Sequence, residues 1–232
     1  LPSGRAGKVN KETPPQRMHL VILSDNDNSR YVEWAIREAF WMLPRYDNNI
    51  HTKITILSPY ATNICWSVNA SCPGFTSFST LDGQEYEHPY CISIDDITFP
   101  QINYCSTSFT NRALRYELEQ LCTNDENLYF IVDSKSDLEG IRLGVKIREA
   151  IIRNTVFCNQ IHHYSKYNFV IALRLSNADY AELAENLIVP KENEQDNRWF
   201  NSYNFISFGT LQSLYSWDEL SGGILEKISQ NI

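Results

Sequence analysis

Ser24-Asp25-Asn26-Asp27-Asn28-Ser29 is a run of six hydrogen-bonding side chains set directly behind an apolar run, His19-Leu20-Val21-Ile22-Leu23. Side chains of this kind cap a following helix, and backbone N–H groups at a helix N-terminus can hold an anion. Asp25 and Asp27 put negative charge where a phosphate would lie, so both a capped turn and an anion-binding loop stay open. Four further positions could do chemistry. Ser58 ends a second apolar run; an Asp or Glu there would hold ribose hydroxyls, and a serine makes that contact weaker. Asp95-Asp96 follows Cys91-Ile92-Ser93-Ile94, but adjacent residues of an extended chain point opposite ways, which argues against a joint acid/base or metal role. Asp133 to Asp137 follow a fourth apolar run, with Asp133 expected to face a cleft across from Ser24. Arg174 ends a fifth and could meet an acidic ligand or pair with Asp133.

Other chemistries lack their signatures. There is no GxSxG elbow, no Walker lysine and no cysteine–histidine nucleophile pattern. His162-His163 stands beside Tyr164 without HxH or HExxH spacing, so these histidines read as surface residues. Tyr164 and Lys166 are too close together for a short-chain dehydrogenase pair. The six cysteines (Cys65, Cys72, Cys91, Cys105, Cys122, Cys158) form no CxxC pair, which argues against a zinc knuckle. Cys91 and Cys122 read as small buried hydrophobes, and Cys65 and Cys72 share a segment and could pair under oxidation. Asn69-Ala70-Ser71 is a glycosylation sequon that matters only on secretion.

The elements that would position these residues follow from periodicity. A helix over about 30–43 carries Val32, Ile36, Ala39, Phe40 and Leu43 on one face, and Pro44 ends it. Strands are expected at 19–23, 52–57 (TKITIL), 91–94 (CISI), 127–132 (NLYFIV), 168–173 (NFVIAL) and 203–208 (YNFISF). Helices are expected at 109–122 with Ser108 as N-cap, at 137–153 with Ser136 and Glu139 as a capping box and Leu138, Ile141, Val145 and Ile152 buried, at 177–188, and at 224–232. Residues 1–17 read as a linker or tail. Residues 60–90 read as an irregular excursion, with a short helix near 64–68. Residues 191–198 (KENEQDNR) read as a solvated loop. Strands alternating with helices give one α/β domain over 18–232. Its sheet is doubly wound, mainly parallel and six-stranded, in the Rossmann-like order 3-2-1-4-5-6, with helices on both faces.

The bulk properties set limits. A chain of 232 residues can bury an ordinary core, and a net charge of −8 argues against nucleic acid or an anionic membrane as main partner. No apolar run spans a bilayer and no signal peptide opens the chain, so the expected compartment is the reducing cytoplasm. Opening on Leu1 rather than Met, the sequence reads as a piece of a longer chain, with room upstream for other domains or membrane spans.

Several segments together resemble the KTN/RCK (TrkA-N) regulatory Rossmann domain of potassium transport and channel proteins. HLVIL is similar to that family's first strand, and CISIDD to its third with an acidic end. NLYFIVDSKSDLEGIRLGVKIREA resembles its fourth strand, acidic turn and helix. NFVIALRLSN resembles the fifth strand with its arginine. The closing segment, ISFGTLQSLYSWDELSGGILEKISQNI, is similar to the version found ahead of ryanodine-receptor-type modules in bacterial proteins. The resemblance covers 18–232. It implies a cytoplasmic, ligand-sensing domain, often a homodimer and attached to other domains. Two departures count against NAD or NADH as the ligand: SDNDNS replaces the three-glycine fingerprint, and Ser58 replaces the acid after the second strand.

Three functions follow as expectations: a non-enzymatic regulatory domain sensing a small molecule or nucleotide, a protein-interaction module with a vestigial cleft, or a nucleotide-using enzyme with Asp133 or Asp95 as base. A ligand in the first case would touch Ser24, Asp25, Asn26, Asn28, Ser29, Ser58, Asp95, Asp133 and Arg174.

Overall fold

The computed structural model describes residues 17–27, 30–42, 53–73, 75, 79–81, 84–85, 99–121, 126–153, 169–186 and 204–210. In chain order the elements are β1 (Arg17–Ser24), α1 (Arg30–Met42), β2 (Lys53–Ser58), α2 (Ala61–Ser71), β3 (Ser79–Leu81), β4 (Gln84–Glu85), β5 (Gln101–Ser106), α3 (Asn111–Leu121), β6 (Glu126–Asp133), α4 (Asp137–Arg153), β7 (Phe169–Arg174), α5 (Ala178–Asn186) and β8 (Asn204–Phe208). One sheet holds all eight strands, in the order β4-β3-β5-β2-β1-β6-β7-β8. Its six central and right-hand strands, β5-β2-β1-β6-β7-β8, are parallel throughout and reproduce the expected order 3-2-1-4-5-6. Beyond β5, β3 adds in parallel and β4 turns back antiparallel to it.

The apolar runs become strands because both faces of the sheet are covered. In β1, Val21 and Leu23 face a core built with Leu114 and Leu118 of α3, Ile147 of α4 and Ala181 of α5. Leu20 and Ile22 face the opposite core, built with Ile36 and Phe40 of α1 and Ile64 and Val68 of α2. α1 buries Val32, Ala35, Ile36, Ala39 and Phe40, the expected stripe; Leu43 lies outside the described residues.

Several expectations are corrected. The strand beside β2 is β5, QINYCS, so the third strand position ends at Ser106; 91–96, with Asp95, lies outside the described residues. The described residues of 60–90 are more regular than expected. α2 runs eleven residues because Ala61, Ile64, Cys65 and Val68 recur at helical spacing and are buried, and β3 and β4 then extend the sheet. Thr110, not Ser108, caps α3: its Oγ1 accepts from the Ala113 N–H at 3.3 Å. Tyr116 points outward at 60% exposure, while Leu114 and Leu118 are buried. α4 has the expected bounds, and Ser136 Oγ accepts from the Glu139 N–H at 3.3 Å. The Glu139 carboxylate turns to Arg142 instead of closing the capping box. The buried face of α4 is Ile141, Leu143, Ile147 and Ile151, with Leu138 exposed. Arg17 belongs to β1 rather than to a tail. Residues 1–16, 162–166, 191–198 and 224–232 lie outside the described residues.

Candidate functional site: the row of strand ends

Register brings the ends of six neighbouring strands level. Ser58 pairs with Ser106, Ser24 with Asp133, and Arg174 with Phe208. The carboxyl edge therefore reads Ser106, Ser58, Ser24, Asp133, Arg174, Phe208 across the sheet. In a doubly wound sheet, ligands lie beyond this edge where the strand order reverses, here between β1 and β6. Of the nine sequence-predicted site residues, Ser24, Asp25, Asn26, Asp133 and Arg174 are brought together there. Ser58 lies one strand away. Asn28, Ser29 and Asp95 lie outside the described residues.

Asp133 is fully buried. Its Oδ2 accepts from Ser24 Oγ at 3.3 Å, and its Oδ1 pairs with Arg174 Nη1. A buried carboxylate needs such partners, since desolvation costs several kcal/mol when it is unpaired. Arg174 also lies over the Tyr31 ring, 5.1 Å from its centroid, and that ring packs on Phe208 at 5.6 Å. Arg174 thus ties β6, β7 and the start of α1 together. Burial first, and then the Asp133 charge, push the Tyr31 hydroxyl above its ordinary range against the opposing effect of Arg174.

Asp25 reaches across the crevice. Its Oδ1 accepts from the Lys135 backbone N–H at 2.9 Å and its Oδ2 from Ser134 Oγ at 3.1 Å. Asp27 forms an ion pair with Lys135 at 3.6 Å, and the Lys135 ammonium lies 5.2 Å from the centroid of the Tyr60 ring. Loss of hydration works against the Lys135 charge; Asp27 first and Tyr60 second outweigh it and hold the ammonium above its ordinary range. The Asn26 N–H donates back to Ser24 Oγ at 3.1 Å. Further along the edge, Asp137 accepts from the Ser176 and Asn177 N–H groups, the latter at 2.8 Å. Ser58 serves its own turn: Oγ accepts from the Tyr60 N–H at 3.0 Å and its carbonyl from the Thr107 N–H at 3.2 Å.

The loops that should diverge at the switch point are therefore laced together, and the aspartates do the lacing. Asp25 occupies, with its own carboxylate, backbone and hydroxyl donors of the loop that leads into α4. Tyr31 was not among the expected site residues, and Ser134 and Lys135 were expected only as part of the 133–137 turn; an aromatic in the first turn of α1, behind the polar run, was the available signal for Tyr31. Among the described residues no group of three His, Cys, Asp or Glu side chains could hold a metal ion, and no helix is long and apolar enough to cross a membrane. A groove of about 450 Å³ between α3 and α4, lined by Arg112, Leu114, Tyr116 and Lys146 among others, shares no residue with the strand-end row.

The thiol and sequon questions resolve locally. Cys65 and Cys72 are free thiols, and burial pushes the Cys65 thiol up to about 11, which makes it a poor nucleophile. Asn69 lies inside α2, its Nδ2 3.4 Å from Cys65 Sγ, a helical setting unlike the surface loop that a glycosylated sequon occupies.

Compared with protein-family models, curated proteins and solved structures, the chain matches none. The fold and the strand-end row define its class, a doubly wound, Rossmann-like α/β protein.

Proposed function

We propose that the chain is a non-enzymatic regulatory module that acts through contacts with other protein, its nucleotide crevice held shut by its own side chains. The observation that carries this reading is Asp25, bonded to Ser134 and to the Lys135 N–H across the switch point. A dinucleotide pyrophosphate would have to displace one carboxylate and lie beside a second, Asp27. Asp133 is poorly suited to act as a base, because it is fully buried and both its oxygens are engaged. The likeness of HLVIL, NLYFIVDSK and NFVIALR to KTN/RCK domains supports the regulatory part of the reading; in such a setting the chain would act on attached domains.

A thermal-shift series with NAD, NADH, ATP, ADP and cyclic nucleotides tests it. A ligand at a hundredfold excess over its Kd adds ~2.7 kcal/mol, on the order of 5–10 °C in a chain of this size. The expected result is no shift from any of them. A saturable rise of that order with one nucleotide, lost in Arg174→Ala, would replace the closed crevice with a sensing one.

A further inference from the structure

α1 turns two indoles to solvent, Trp34 and Trp41, half exposed at 50% and 51%. They lie seven residues apart, two helical turns, on the same face. Between them stand Arg37 and Glu38, 49% and 43% exposed, which in the single chain pair with each other at 3.6 Å and would exchange partners across a two-fold axis. Met42, 60% exposed, ends the helix. Trp66, 63% exposed, lies on α2, which is joined to α1 by the Ser67–Glu33 hydrogen bond. Neither α1 indole is a loose side chain. Trp34 packs on Tyr31 at 5.8 Å, and Trp41 packs edge-on against Phe40 at 5.3 Å and Phe99 at 5.9 Å. Pre-ordered aromatics lose little entropy on binding, which is what makes them anchors of protein interfaces.

The order Trp34, Arg37, Glu38, Trp41 is self-complementary. If a second α1 lies antiparallel across the first, with a two-fold axis between positions 37 and 38, Trp34 of each copy meets Trp41 of the other. The same axis sets Arg37 of each copy against Glu38 of the other. A two-fold interface requires this reciprocity, and any shift of register along the helix loses both matches. The area is also sufficient. An indole offers ~150–250 Å² in full, so the two that are half exposed on this face give on the order of 200 Å² per copy. Doubled by symmetry, and with Met42 and the charged pair beside them, the interface reaches about the 1,000 Å² at which specific association becomes stable.

We infer that the exposed face of α1 is a homodimer interface, closed by reciprocal Trp34–Trp41 and Arg37–Glu38 contacts between two copies of this chain. The occupant is a second copy rather than a membrane, because the face is electrically balanced and the chain is acidic overall, at −8.

Sedimentation velocity on the full chain at about 1–100 µM tests the inference. The expected result is a reversible dimer. Arg37→Glu and Glu38→Arg each set like charges against one another and weaken it about tenfold or more, and Trp34→Ser with Trp41→Ser abolishes it. The double reversal, Arg37→Glu with Glu38→Arg, restores opposite charges and brings the dimer back to within about threefold of the wild type. All four positions face solvent, so circular dichroism should show every variant folded. A monomer at every concentration, single reversals that dimerise like the wild type, or a double reversal that fails to recover would each overturn it.

Discussion

At the level of single residues, the strand-end row shows polar side chains used to satisfy one another. Asp133 is tolerated without solvent because Ser24 and Arg174 reach it, and Arg174 in turn has the Tyr31 ring beneath it. The Tyr31 hydroxyl gives this cluster a signature in alkali. Its folded pKa stands above the ordinary 10.0, through burial and the Asp133 charge. Below pH 10 both folded and unfolded states keep the proton, and nothing is gained or lost. Above it the unfolded chain holds fewer protons than the folded one, so stability falls as pH rises, by at most ~1.4 kcal/mol per unit from this one group. Urea unfolding at pH 8 and pH 11 should show a smaller loss in Tyr31→Phe than in the wild type. Equal losses would mean that Tyr31 does not feel Asp133 or burial. The sequence exposed part of this cluster: a carboxylate at the end of one apolar run and an arginine at the end of the next are visible as types. Which of two partners Arg174 takes depends on register, and register is fixed only by the neighbouring strands. Tyr31 left only a faint signal, an aromatic in the first turn of α1, because that place in the helical pattern is also that of an ordinary amphipathic residue.

At the level of elements, legibility followed hydrophobicity. β1, β2, β6 and β7 have helices packed over both faces, so their sequences are nearly continuous apolar runs. β5 carries Gln101, Asn103 and Ser106 among its buried Ile102 and Tyr104, a half-polar alternation that is outshone by CISI a few residues earlier. α2 hides its stripe among Thr, Asn and Ser, residues with weak helix preference. The face of α4 was misphased for a different reason. Part of what it turns to the sheet is glycine, which has no hydrophobic signal. A Cβ on Gly144 would come 2.7 Å from Phe205 Cε1 and 2.8 Å from Leu173 Cδ2, whereas one on Gly140 would meet nothing nearer than Ser134 Cβ at 3.6 Å. The two glycines should therefore respond in opposite ways. Gly140→Ala gains helix propensity of ~0.5–1 kcal/mol, while in Gly144→Ala overpacking of about 1–3 kcal/mol outweighs that gain. Chemical denaturation of both variants checks this; stabilisation by Gly144→Ala would mean that α4 sits farther from the sheet than its packing on Phe205 and Leu173 indicates.

At the level of the whole molecule, one sheet separates two cores, and its central strands serve both. Val21 and Leu23 look to α3, α4 and α5, while Leu20 and Ile22, the alternate residues of the same strand, look to α1 and α2. A loss of packing on one face therefore cannot stay there: β1 and β6, the strands that border the crevice, must come apart for either core to open fully. The latch at Asp25 adds to this, since it holds the loops after those two strands together beyond the sheet's own hydrogen bonds. Ile147 is fully buried in the α3–α4 core and lies on the far side of the sheet from α1. Ile147→Ala should cost ~2–5 kcal/mol, as a cavity in a packed core does. In native-state hydrogen exchange that loss should appear equally at the slowest amides of α4, on the mutated side, and of α1, on the other, because both exchange through the same global opening. If the α4 amides lose protection while those of α1 keep theirs, the two faces are separate cooperative units. In that case the crevice between β1 and β6 would be a hinge that the Asp25 latch merely fastens.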